Sequence, residues 1–259
     1  AWPGAHTVTA PAGPPLPPRA VVAGGTLRLA RPDILPLSAS GDPEAPLRAL
    51  AGAAASLAGG EHAVLQVLAR PVTGARLRKA RRAARRQRAG QTARITSRLL
   101  DLASPGSGSG RSRAGARDPD LTAEIRESAA KLAGPQWETL IRYAVATTTP
   151  AQEPGGAGRL ERRAAAAQQQ ARLRGLAHAL ASATALLTGR NWLARRRLRR
   201  PDGAISSRRL ARGDLLSVPE LAAIARLPAD PALPGLARAG ARAVPPPPAI
   251  PLPGPGVRP

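Results

Sequence analysis

The chain has 259 residues, with 39 Lys and Arg against 16 Asp and Glu and a formal charge of +23, a length that suits one or two domains and a charge that suits a polyanionic partner. It contains no Cys, which excludes disulfides, thiolate metal sites and a thiol nucleophile and permits a cytoplasmic location. Phe and Met are absent, Trp is three and Tyr is one, so any core has to be built from Ala, Leu, Val and a few Ile.

Nearly every basic residue is Arg, with only Lys79 and Lys131 as Lys. Ala, Gly and Pro are also abundant, and codons of a GC-rich genome account for part of that excess. The clustering of the Arg is what remains to be explained. The longest charge-free apolar stretches, 49–60 and 175–189, fall short of the about eighteen residues that a membrane span requires.

In chain order, residues 1–24 are Pro- and Gly-rich and are expected to be extended. Thr26 to Ala30 alternates apolar and polar, the pattern of a short strand. Asp42-Pro43-Glu44 opens a helix to about Leu57, with Asp42 as its cap, and Gly59-Gly60 closes it. Ala63 to Leu68 is almost unbroken apolar sequence and predicts a strand buried on both faces. A long basic helix follows from Gly74 to about Leu102, completing a β-α-β plus basic-helix unit over 25–103. Residues 104–117, with Gly106-Ser107-Gly108-Ser109-Gly110, read as a flexible linker. Within 118–200, Asp118-Pro119-Asp120 caps a helix through Leu132, Trp137 to Thr147 predicts a strand, and Leu173, Leu176, Leu180, Ala183 and Leu187 form the stripe of a second long helix. The fold class expected is α+β, a small sheet with long basic helices in a two-layer, ferredoxin-like arrangement.

In the last segment, 201–259, Ser217 and Glu220 make an S-x-x-E capping box that starts a short helix, which Pro228 ends. Ala243-Val244-Pro245-Pro246-Pro247-Pro248 is expected to be polyproline. This end is expected to be a lead-in to a domain outside the chain, and with no Met present a fragment or processed product is expected. Gly213-Asp214-Leu215-Leu216-Ser217-Val218-Pro219-Glu220-Leu221-Ala222, with Leu227-Pro228, Pro234-Gly235-Leu236 and Pro246-Pro247-Pro248, resembles the region preceding the motor domain of actinobacterial conjugative or type IV secretion-type ATPases of the FtsK/HerA superfamily. Those proteins are often labelled "ATP/GTP-binding protein" or "type VI secretion protein". Gly60-Glu61-His62-Ala63-Val64-Leu65-Gln66-Val67-Leu68-Ala69-Arg70-Pro71, Arg142 to Thr147 and Thr188-Gly189-Arg190-Asn191-Trp192-Leu193 extend the likeness in the same order. The resemblance implies a non-catalytic accessory region of a DNA-transfer or secretion pump at the inner face of the cell membrane, with ATP, Mg and homo-oligomer formation belonging to a downstream motor domain.

The residues agree in lacking catalytic chemistry. Neither Lys79 nor Lys131 stands in a G-x-x-x-x-G-K-[ST] loop, so no nucleotide-phosphate cradle is readable and no enzyme is expected. His6, His62 and His178 share no ligand spacing, and His178 is expected at the buried stripe. Glu61, Asp101, Asp118, Asp120 and Asp214 sit at element ends, where capping explains them. Two basic clusters carry the functional expectation. The first is Arg76, Arg78, Lys79, Arg81, Arg82, Arg85, Arg86 and Arg88, with charge on nearly all faces of a helix; the second, Arg190 to Arg200, is also expected to be a basic helix and surrounds Trp192 with Arg195, Arg196, Arg197, Arg199 and Arg200, continued by Arg208, Arg209 and Arg212. Nucleic-acid phosphate contact, with Trp192 stacking on a base, is one reading. Anionic lipid or a secretion-complex protein is the second partner reading, and a solvated, codon-biased face is the third. A stand-alone Arg-rich nucleic-acid adaptor and a largely disordered product of a GC-rich frame are the alternatives to the pump.

Overall fold

The computed structural model describes residues 15–38, 42, 44–86, 119–149 and 158–226. The linker 104–117, Arg88, His6, Asp101, Asp118 and the terminal residues 1–14 and 227–259 lie outside these residues. The chain is α+β: strand β1 (Val21–Leu29), helix α1 (Ala45–Ala55), β2 (Glu61–Val72), α2 (74–86), α3 (Pro119–Ala133), β3 (Gln136–Thr147), α4 (Arg159–Ser182) with a 3-10 turn (Ala183–Leu187), β4 (Leu193–Arg197), α5 (Pro201–Ser206), β5 (Asp214–Ser217) and α6 (Val218–Ile224). One antiparallel sheet carries the strands in the order β2-β3-β1-β4, and β5 pairs with β3 beyond the end of β1. β3 is thus the centre. β2 runs along its whole length on one side, while β1 (Val21 to Leu27 against Thr147 to Ile141) and β5 (Asp214 to Ser217 against Thr139 to Gln136) share the other. The segments 25–103 and 118–200 therefore interleave in a single sheet.

β3 buries both faces because helices and loops cover both. On one face Ile141, Tyr143 and Val145 pack with Ala23 and Leu27 of β1 and with Leu173, Ala177 and Leu180 of α4, and Leu50 and Ala53 of α1 close the same layer. On the other, Ala144 and Ala146 meet Leu16 and Ile205 of α5, and Leu215 of β5 meets Leu132 and Ala80 of α2. Small residues let α5 and the N-terminal segment approach this second face closely, which a core without Phe or Met requires.

Several expectations are corrected. β1 starts at Val21, inside the segment expected to be Pro-rich and extended, and it runs through Gly24-Gly25. Those glycines are packing sites: a Cβ on Gly25 would stand 2.5 Å from Tyr143 Oη and 2.8 Å from Arg196 O. Glu44 occupies the N-cap position of α1 without a side-chain capping bond, Pro46 lies in the first turn, and Asp42 instead accepts the Glu44 amide at 2.9 Å. β2 is an edge strand, half-buried rather than covered on both faces, which is why Pro71, with no amide to donate, is tolerated in it. Residues 193–197 form a strand and not a helix. Arg favours helix locally, but the stretch between Gly189 and Pro201 offers no apolar stripe, whereas pairing with β1 satisfies the backbone groups along the facing edges of the two strands. The capping box forms as read, with Ser217 N–H at 2.7 Å and Oγ–H at 2.9 Å from Glu220 Oε2. His178 is exposed on α4, away from the buried stripe. No helix among the described residues is long and apolar enough to cross a membrane.

Candidate nucleic-acid interface

The fold divides its charges into those that meet an acid and those that meet none among the described residues. α2 rotates about 100° per residue, so Arg78, Lys79, Arg81, Arg82, Arg85 and Arg86 occupy one side, opposite Leu77, Ala80 and Ala84. All six are exposed, and Ala80 and Ala84 pack on Leu215 and Leu132. The charges are therefore sorted onto one face of the helix rather than spread over nearly all of it. Arg81 also donates to the Leu132 carbonyl at 3.3 Å, closing the end of α3.

Arg76 leaves this set. It turns inward, ion-pairs with Glu138, reaches Asp33 at 3.3 Å and donates to the Gly213 carbonyl at 2.6 Å. Glu138, almost fully buried, also accepts from Arg70 at 2.8 Å and from the Gly213 amide at 2.9 Å. Burial pushes its carboxyl up, but the Gly213 amide and the Arg70 and Arg76 guanidinium groups outweigh that and hold it below the ordinary carboxylate value. Asp214, expected to cap an element, instead bridges the seam between β1 and β5. It accepts a bidentate pair from Arg28 at 2.8 and 2.9 Å and the Leu29 amide at 2.8 Å. Gly213 is required here because any Cβ would collide with the Thr139 backbone.

Most of the remaining acids are used in the same way. Glu61 holds Arg172 at 2.7 Å, Glu124 meets Arg31, Asp120 and Glu127 meet Arg190, Glu44 meets Arg226 and Asp42 meets Arg48. Lys131 is buried against Glu220 at 3.1 Å and donates to the Leu35 carbonyl at 3.1 Å; desolvation lowers its pKa, against the pull of Glu220. Lys79 stands mid-helix on α2. Lys131 lies in the last turn of α3.

The second cluster lies on β4 and the turn after it. Arg195, Arg196, Arg197, Arg199 and Arg200 are exposed, and none of them joins an ion pair among the described residues. Trp192 precedes them, 44% exposed. Its position is set by Asn191, which is fully buried: Oδ1 accepts the Arg31 and Trp192 amides at 2.9 and 3.0 Å, and Nδ2 donates to the Arg31 and Pro32 carbonyls at 3.1 and 3.2 Å. With the turn locked from inside, the indole is left pointing outward.

Sequence reasoning missed the residues that hold this arrangement: Arg142, Asn191, Glu138 and Asp214. Arg142 is buried on β3 and donates to Gln66 Oε1 at 3.2 Å, to the Ala204 carbonyl at 2.6 Å and to the Arg209 carbonyl at 2.8 Å. A charged residue in the middle of an apolar strand was the signal available. The motifs that carry the family resemblance fall on these fold-building positions, namely the Gly60 turn with φ +78°, β3, the Asn191 turn and the Gly213 seam. Comparison of the chain with protein-family models, with curated proteins and with solved structures returns no match.

Proposed function

We propose that this chain is a non-catalytic accessory region of a conjugative DNA-transfer or secretion pump, and that it guides DNA by phosphate contact through the outer face of α2 and through β4. The observation that carries the reading is the division of charge. Apart from Glu161 and Asp202, the acids of the described residues are taken up by Arg28, Arg31, Arg48, Arg70, Arg76, Lys131, Arg172, Arg190 and Arg226, while the exposed bases of α2 and β4 meet no acid among the described residues. Such a surface concentrates phosphates and gains from counterion release. The link to a pump rests on the resemblance of the motifs around Gly60, Asn191 and Gly213. A ferredoxin-like two-layer core is part of the same reading; the strand order β2-β3-β1-β4 supports it, with α1 and α4 on one face and α2–α3 and β5–α6 as additions.

DNA affinity measured against salt tests the proposal. Replacing Arg81, Arg82, Arg85 and Arg86 with Gln should lower the logarithmic salt slope on duplex by about 0.9 for each phosphate that is no longer neutralised, with no sequence preference. Trp192→Ala should weaken single-stranded binding by about 1–3 kcal/mol. Unchanged DNA affinity together with abolished binding to anionic vesicles would move the clusters to a membrane role.

A further inference from the structure

We propose that the loop 207–213 joins the two exposed clusters into one phosphate-binding tract for the backbone of a nucleic acid, with Arg209 and Arg212 as additional contacts. The proposal rests on the nucleic-acid reading above. The loop is held from beneath by guanidinium groups that take its carbonyls: Arg142, which also binds the Ala204 carbonyl of α5, binds that of Arg209, Arg28 reaches that of Arg212 at 3.4 Å, and Arg76 binds that of Gly213. With its carbonyls turned inward, the loop leaves the side chains of Arg209 and Arg212 exposed.

Continuity follows from the chain path. On this side of the sheet β4 delivers Arg196, the next turn carries Arg199 and Arg200, α5 leads to Arg209 and Arg212, and Gly213 is tied to Arg76 at the start of the α2 stripe. Across the sheet, Arg142 faces Thr26 and Thr26 faces Arg196, so a buried and an exposed guanidinium line the same side of the sheet. Arg142 has only carbonyl oxygens as acceptors among the described residues. Asp202 on α5 is the acid exposed along this path. Bringing like charges together without counter-charge destabilises the free protein, and a bound polyanion relieves the repulsion. α4 covers the opposite face of the sheet, and its exposed Arg162, Arg163 and Arg174 lie off the tract.

The test is a salt titration of the full chain with mixed-sequence duplex and single-stranded oligonucleotides, read by fluorescence anisotropy. Arg209→Gln with Arg212→Gln should lower the duplex slope by about 2, at about 0.9 per phosphate. Arg162→Gln with Arg163→Gln and Arg174→Gln should change it by less than about half a unit. Circular dichroism and thermal melts of both variants should match the parent, since all five residues are exposed. A loop variant with the parent's slope, while the α2 quadruple variant shows a reduced one, would overturn the tract and leave the α2 reading standing. Equal reductions in the loop and α4 variants would show diffuse attraction and overturn it as well. Absence of salt-dependent binding by the parent chain would overturn both proposals.

Discussion

At the seam beneath Gly213, Arg28, Arg70 and Arg76 share the carboxylates of Asp214 and Glu138 with two backbone amides, while about two to three turns further along α2 the guanidinium groups of Arg82, Arg85 and Arg86 face solvent with no acid among the described residues. The same residue type serves packing in the first region and surface charge in the second. What separates them is the partner and not the residue: where an antiparallel strand ends and another takes over, orphan amides and carbonyls have to be satisfied, and a carboxylate with an Arg fork meets both at once. The outer face of α2 draws on the helix for its backbone hydrogen bonds, and its charge faces solvent.

The largest effect that would sharpen this contrast lies in a third charged site, the buried Lys131–Glu220 pair. Lys131→Met should destabilise the protein by about 3–5 kcal/mol in a denaturant melt, because it leaves Glu220 charged and buried. Adding Glu220→Gln should recover part of that stability, since it removes the buried charge while the amide oxygen keeps one of the two bonds that Leu37 and Ser217 N–H make to separate carboxylate oxygens. If the single variant melts like the parent, the pair is not closed to water and the division between interior and surface charge is drawn in the wrong place.

A smaller crossed effect compares two residues of one helix. Arg76→Gln should cost about 1–3 kcal/mol of stability through the buried groups it leaves unpaired, with little change in DNA salt slope. Arg82→Gln should leave stability within about 0.5 kcal/mol and lower the slope by about 0.9. Equal behaviour of the two would erase the distinction between the regions.

The smallest effect is in the acid limb. Glu138 in the folded protein lies below its ordinary carboxylate value, so the unfolded chain binds more protons across that interval. The stabilisation is complete above the ordinary carboxylate range and is lost as pH falls through the folded value. Glu138→Gln should therefore flatten the fall of melting temperature below about pH 4.5. DNA salt slopes, which involve no described acid, should not follow that limb.

Local chemistry alone determined much of this molecule. Asp120 in the first turn of α3, the Gly134-Pro135 turn, the strand from Trp137, the Leu173–Leu180 stripe and the Ser217–Glu220 box each depend on groups within a few residues of one another, so they could be read directly. The exposed stripe of α2 was legible as a cluster, but the departure of Arg76 from it was not, because Glu138 lies on a distant strand, β3. Gly24-Gly25 reads as loop and is strand because Tyr143 needs the space, and Arg195–Arg197 reads as helix and is strand because β1 offers an open edge. Arg142, Asn191 and Asp214 gained their roles only when β3, the 188–193 turn and the 207–213 loop met. Backbone groups of distant segments cannot announce in sequence which side chain will satisfy them; the sheet decides that when it closes.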